Sequence, residues 1–223
     1  MVGVSHLYYD PEMEKICLEE QRRLYALLSA HLAKYPLFAS SLEPLPFPGK
    51  KEEKTMELES MYTCALASGT GPMSSVAGLF AQFTGRAIGS CAGDLPSEVL
   101  VENGGDLYVK NLKDLVVVVH AGRVALSGKL GLVIPPGEWG ICTSSGTHGH
   151  SYSKGKADAL TIVCRDTPLA DAWATALANK VGGSEDIPPL LEMVAGIPEI
   201  LACVVIAGGE LGIRGDFETK LLS

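Results

Sequence analysis

Apolar residues recur at helical spacing through Met13, Ile16, Cys17, Leu24, Leu27, Leu28 and Leu32, between the pair Asp10-Pro11 and Pro36. An aspartate ahead of a proline is a helix start: the carboxylate caps free N–H groups, and proline has no N–H to leave orphaned. The pattern predicts a long amphipathic helix over about 10–35 that opens the chain. Residues 36–54 hold four prolines and a charge run, which predicts a connecting loop. The stretch "TMELESMYTCALAS" (55–68) reads as a strand. In "GTGPMSSVAGLFAQFTG" (69–85) a glycine turn and a proline lead into a helix with Met73, Val76, Ala77, Phe80 and Phe83 on its apolar side.

Short runs rich in β-branched residues follow: "EVLVEN" (98–103), "DLYVK" (106–110), "LVVVVHAG" (115–122) and "LGLVI" (130–134). Each is bounded by Gly, Asn, Asp or Pro, the residues that end strands. "EWGICTSS" and "ADALTIVC" are two further strand candidates. A helix around Ala170–Lys180, a proline-interrupted helix at "PPLLEMVAG" and a last strand at "ILACVVIAGG" complete the chain. Helices alternating with clusters of strands predict an α+β fold, with helices packed on one face of largely antiparallel sheets. Length and pattern fit one domain over 1–223 and leave an internal duplication open.

With 47% hydrophobic and 20% charged residues, the chain is composed to bury a substantial core. A net charge of -8, with only "GKK" and nearby Lys54 as a basic cluster, argues against nucleic acid or an anionic membrane as partner. The start of the sequence lacks a signal-peptide pattern, and the longest apolar runs are too short to span a bilayer, so a cytoplasmic protein is expected. Six cysteines without a CxxC pair argue against a zinc ribbon or a disulfide-stapled module.

Asp171 and Thr175 lie four apart, on one face of their predicted helix, and two oxygens so placed suit a hard cation such as magnesium. The same spacing also fits a carboxylate near a helix start and a threonine bonded back to a carbonyl. In "VENGGDLYV" (101–109) the glycines allow either a plain hairpin turn or close approach of a ligand, with Asn103 and Asp106 as polar contacts. The polar run "CTSSGTHGHSYSKGK" (142–156) offers backbone N–H groups with Ser144, Ser145, Thr147, His148, His150 and Lys154 as an anion-binding surface, or simply a solvated loop. "SGTGPMSS" (68–75) is a second candidate anion site, at a helix N-terminus. Cys142 is a candidate nucleophile if a histidine lowers its pKa, and a buried thiol otherwise. Walker A, GxSxG and HExxH sequences are absent.

In order, "ENGGDLY", "CTSSGT" and "ALTIVCRDTPLADAWATAL" resemble the ApbE-like superfamily, whose motifs are a GGD strand end, a TSG segment and an ADxxxT helix. Together with "GPMSSVAG" and "LSGKLGL" they are most similar to its short branch, relatives of the FAD:protein FMN transferases. The resemblance implies a T-fold-like architecture. It implies a magnesium site at Asp171 and Thr175 beside the diphosphate of FAD, with FAD or FMN as the cofactor. It also implies flavin-nucleotide contacts at Gly104, Gly105, Asp106, Thr143, Ser144, Ser145 and Gly146, to which the loop reading adds Asn103, Thr147, His148, Ser74 and Ser75. Asp171, Thr175 and Cys142 are the residues with candidate catalytic roles. Ser74 and Ser75 stand where the transferases carry a lysine, and "HGHSYSKGKADAL" replaces their Pro- and Gly-containing stretch, which puts flavin transfer in question. The branch is also associated with sulfur assimilation into homocysteine in anaerobes. An accessory protein to a partner enzyme, with Cys142 as a persulfide carrier, is therefore a second expectation. A non-catalytic structural or binding protein and a homo-oligomer remain open.

Overall fold

In the computed structural model, which describes residues 2–6, 11–50, 53–91, 98–146 and 155–222, the proline after Asp10 starts a 24-residue helix, α1 (Pro11–Lys34). Strand β1 (Val2–His6) precedes it, so the helix does not open the chain as expected. Its partner is β2, with Val2 opposite Asn103 and His6 opposite Val99, a pairing no local pattern could reveal. Within the proline-rich segment the described residues include a short α-helix, α2 (Leu37–Ser40).

The expected strand at 55–68 is a helix, α3 (Met56–Ser68). Thr55 caps it by accepting the Leu58 N–H at 3.4 Å, Glu57 and Glu59 occupy the first turn, and Gly69 closes it at φ 73°. Buried residues at 57, 58, 61, 62, 64 and 65 follow helical rather than alternate spacing. A 3-10 turn at Pro72–Ser75 then leads into α4 (Val76–Cys91), as expected from the proline.

The remaining elements are β2 (Val99–Asn103), β3 (Asp106–Asn111), β4 (Leu115–Val119), β5 (Leu130–Ile134), β6 (Gly137–Ser144), β7 (Ala159–Cys164), α5 (Thr167–Ala178), α6 (Ile187–Ala195), β8 (Ala202–Ala207), β9 (Glu210–Gly215) and β10 (Thr219–Leu221). Two strands thus follow the one expected to be last. Five of the six residues of β9 are exposed or lie at its turns, and it has little apolar pattern to betray it. Its register against β8 supplies what its side chains lack.

All described strand pairs are antiparallel, in a seven-stranded sheet of order β1-β2-β3-β6-β7-β8-β9 and a three-stranded sheet of order β10-β5-β4. Side chains alternate between the faces of a strand. Leu160, Ile162, Cys203 and Val205 therefore meet α5 and α6, while Ala159, Val163, Val204 and Ile206 meet Leu130, Leu132 and Ile134 of the small sheet. This is why every residue of β7 and β8 is buried. Helices occupy one face, as expected, and the small sheet covers the other. No helix among the described residues is long and apolar enough to cross a membrane.

Candidate functional site

The β2–β3 hairpin turns on Gly104 and Gly105, at φ 69° and 107°. A two-residue hairpin turn of this hand needs positive φ at both positions, which glycine adopts without a Cβ clash. The Gly-Gly pair is thus a hairpin tip, and it is also part of a cavity wall. Thr143 fastens β6 to the tip, its N–H donating to the Gly105 carbonyl at 3.2 Å. Asp106, the first residue of β3, lies in register opposite Cys142 of β6 and shares its helix-side face.

Asp171 reaches the same place from α5. It does not cap its own helix, since Asp166 does so by accepting the Leu169 N–H at 3.1 Å. Asp171 Oδ2 instead accepts the Gly78 N–H, in the first turn of α4, at 2.8 Å. The two helices can approach this closely because residue 78 lacks a side chain: a Cβ there would lie 2.6 Å from the Thr167 carbonyl oxygen and 2.9 Å from Asp171 Cβ. The N-terminus of α4, expected to attract an external anion, is therefore taken by a carboxylate of the chain itself.

Asp106 and Asp171 are each only 8% exposed. Burial pushes the Asp106 carboxyl up to about 7, with the nearby Glu102 charge adding to the rise and the Cys142 thiol and Thr143 N–H opposing it. Burial and the charge of Asp106 hold Asp171 well above the usual carboxylate range, against the N–H groups of Gly78 and Ala77. A cavity of about 600 Å³ opens beside the pair. Glu102 and Asp158 also line this end, together with hydroxyls that include Ser144 and Thr175, and no Lys or Arg lines it among the described residues. Thr175 is half-buried and its hydroxyl makes no hydrogen bond among the described residues, so the alternative of a back-bonded threonine is not what the structure contains.

Among the described residues no three His, Cys, Asp or Glu side chains gather into a metal cluster. Two carboxylates with a hydroxyl do suit magnesium, which completes its octahedron with waters and ligand phosphates.

A family model described as "AbpE bacteria" matches residues 5–188. The chain belongs to the ApbE-like family. It is 34% identical over 208 residues to the UPF0280 protein of Methanocella arvoryzae, covering 92% of this chain and 82% of the relative. To the UPF0280 protein of Methanosarcina barkeri it is 37% identical over 193 residues, covering 85% and 74%. The crystal structure of the ApbE protein from Thermotoga maritima superimposes with a TM-score of 0.58 at 15% identity, covering 96% of this chain and 92% of that one. That likeness is one of fold.

Within this ApbE-like chain, Gly104, Gly105, Asp106, Thr143, Ser144, Ser145, Asp171 and Thr175 all border the one cavity. Other expected contacts do not. Asn103 turns away, its Nδ2 donating to the Ala77 carbonyl at 3.1 Å as a strut between hairpin and α4. Ser75 is buried and donates to the Pro72 carbonyl at 3.1 Å, while Ser74 Oγ lies 2.6 Å from Thr70 Oγ1. Gly146 packs against Gly155, with its N–H on the Ala157 carbonyl. Thr147, His148, His150 and Lys154 lie outside the described residues.

Cys142 does not have the setting of a nucleophile or a persulfide carrier. It is fully buried, its thiol lies 3.4 Å from the Thr167 carbonyl oxygen, and burial with the charges of Asp106 and Asp171 drives its pKa well up. A thiolate would be a third anion beside two carboxylates. Cys64 and Cys203 are likewise pushed up to about 12 by burial, and all six thiols are free.

Several residues at the site carried no recognisable signal. Glu102 accepts the Gly105 N–H at 2.8 Å, Thr161 Oγ1 lies 2.8 Å from Thr143 Oγ1, and His120 reaches the cavity from the end of β4. Gln82 is 2% exposed, accepts the Thr167 N–H at 2.8 Å and donates to Asp166 Oδ2 at 2.9 Å, locking α4 to the start of α5. The cap signal "RDTP" marks where α5 begins, but only the packing of α4 on α5 gives Gln82 its task.

Proposed function

We propose that the cavity is a magnesium-assisted site for a flavin nucleotide, of the FAD or FMN class. The observation that carries this reading is the pair Asp106 and Asp171, two buried carboxylates beside a cavity that no Lys or Arg lines among the described residues. Once ionised, these carboxylates need a counter-charge and would repel a bare phosphate, so a cation that takes up their charge would bring the phosphate with it. Asp171 and Thr175 would hold the cation with Asp106 nearby, while Ser144, Ser145 and Thr143 face the polar part of the ligand. A bound cation would supply charge neutralisation and Lewis acidity at the ligand's phosphate oxygens. Asp171 is positioned for that role by the Gly78 N–H, which fixes one carboxylate oxygen without neutralising the charge.

The resemblance of the GGD, TSG and ADxxxT segments to those of the flavin transferases supports the ligand class. The lysine those enzymes bring to the phosphate is replaced by Ser74 and Ser75, which point elsewhere, so binding is the function proposed and transfer of FMN is not. The test is titration of the purified protein with FAD in the presence and absence of magnesium, alongside Asp171→Asn, with FMN release measured in parallel. Magnesium-dependent binding lost in the variant is expected. No binding of FAD or FMN by the wild-type protein with magnesium would sink the proposal.

A further inference from the structure

The five residues of β4 and His120 after them, six in succession, all border the cavity. A strand that lined a cavity with one face would contribute alternate residues. β4 therefore borders it with its hydrogen-bonding edge, and it is the terminal strand of the three-stranded sheet.

The ladder identifies the groups on that edge. The Val119 carbonyl accepts from Gly128, which leads into β5, at 3.0 Å, and Val133 of β5 donates the other way, to Glu218, at 2.8 Å. Successive residues of a strand direct their backbone groups to opposite sides. Leu115, Val117 and Val119 thus bond to Ile134, Leu132 and Leu130, their register partners. The N–H and C=O groups of Val116 and Val118 face the cavity, with no partner among the described residues. Leu100 of β2 and Leu107 of β3 supply apolar wall to the same space, and the carboxylates and hydroxyls lie at its other end. An apolar end bordered by a paired backbone donor and acceptor, continuous with a polar end, is the shape and chemistry of a ligand with a flat heterocycle and a phosphate tail. A volume of about 600 Å³ is that of a small-ligand pocket.

We infer that the open edge of β4 hydrogen-bonds the amide-like edge of the ligand's heterocycle, an adjacent ring N–H and C=O, through the backbone of Val116 and Val118. This rests on the flavin-nucleotide reading, and the ring is then the dione ring of the flavin. The edge selects the heterocycle, whereas the acidic end selects the cation and phosphate.

The test compares FMN with N3-methyl-FMN on wild-type protein with magnesium, followed by fluorescence. Methylation removes the ring N–H, and about tenfold weaker binding is expected for one lost hydrogen bond. Val118→Pro deletes an N–H that makes no bond to β5, so the ladder survives as proline on an edge strand permits, and FMN should weaken by a similar factor. If that variant does not fold, the two ligands on the wild-type protein decide. Equal affinity for FMN and N3-methyl-FMN would overturn the inference and leave the flavin site standing. Tighter binding of AMP than of FMN, weakened by dimethylation of its exocyclic amine, would overturn it by seating adenine on the edge. Absence of FMN binding would overturn it together with the flavin reading.

Discussion

The Gly78 N–H donates to Asp171 Oδ2 across 93 positions of sequence, at 2.8 Å, so that the N-terminus of one helix is capped by a carboxylate from the second turn of another. This bond makes Asp171 both a strut between α4 and α5 and a wall of the cavity. The two roles separate by substitution. Asp171→Ala loses the cap and should cost about 1–2 kcal/mol of stability. Asp171→Asn keeps an acceptor and removes a buried charge, so its Tm should match or exceed that of the wild type while magnesium-dependent ligand binding disappears. Thermal melts and FAD titration of the two variants check this, and equal destabilisation of both would refute the separation.

Stability without divalent cations should fall as pH rises from about 4 to 7. The Asp106 carboxyl titrates at about 7 in the folded chain, above its ordinary 3.8. In that window the unfolded state has released a proton that the native state keeps, so each unit of pH costs the native state up to about 1.4 kcal/mol. At Asp106 both states are protonated below pH 4 and both are ionised above 7, so its contribution to the slope vanishes at either end. Asp171 acts in the same direction. Urea denaturation at pH 4.5 and 7.5 measures the difference, and Asp106→Asn should shrink it.

Gly78→Ala should destabilise, although alanine is the better helix former by about 1 kcal/mol. The new methyl would meet the Thr167 backbone at 2.6 Å, and a helix backbone cannot yield as a side chain does. Pushing α4 from α5 is expected to cost about 1–3 kcal/mol and to weaken FAD binding, since the carboxylate loses its fixed N–H. A Tm at or above that of the wild type would show that the contact relaxes freely.

Gln82→Leu should be nearly as damaging despite its apolar surroundings. The leucine cannot accept the Thr167 N–H, which is held at 2.8 Å in a buried position. Leaving such a donor unpaired costs about 1–3 kcal/mol. Chemical denaturation of Gln82→Leu, which nearly conserves the side-chain volume, reads the loss of the bond, and an unchanged midpoint would refute it.

Thiol labelling of the native protein should modify Cys91, which is exposed, and spare Cys142. A buried thiol held protonated by two carboxylates neither reaches the reagent nor supplies thiolate. Peptide mass mapping after alkylation, or after exposure to a sulfur donor, reads the outcome. Persulfide on Cys142 in the folded protein would restore it as a sulfur carrier.

Local chemistry made much of this protein legible. Asp10-Pro11 and Asp166-Thr-Pro announce helix starts, runs such as "LVVVV" and "ALTIVC" announce strands, and Gly104-Gly105 announces a hairpin tip, because caps, β-branching and positive φ act within a few residues. Thr55 and Gly69 bracket α3 just as clearly, and "TMELESMYTCALAS" is mistaken for a strand only if its cap signals are passed over. β1 and β9 are different, since each owes its conformation to a strand already in place beside it.

At the site, the sequence by itself determined which donors exist: Asp106 behind the glycines, the hydroxyls of Thr143, Ser144 and Ser145, and Asp171 with Thr175 on one helix face. Tertiary structure decided which of them share a cavity and in what state. It turned Asn103, Ser74 and Ser75 away and buried Cys142. It also set Asp106 and Asp171 beside the same cavity, and left one edge of β4 open there. Burial, charge proximity and unpaired backbone edges are properties of neighbours in space, and the neighbours that matter here come from α4, α5, β3, β4 and β6, distant in the chain.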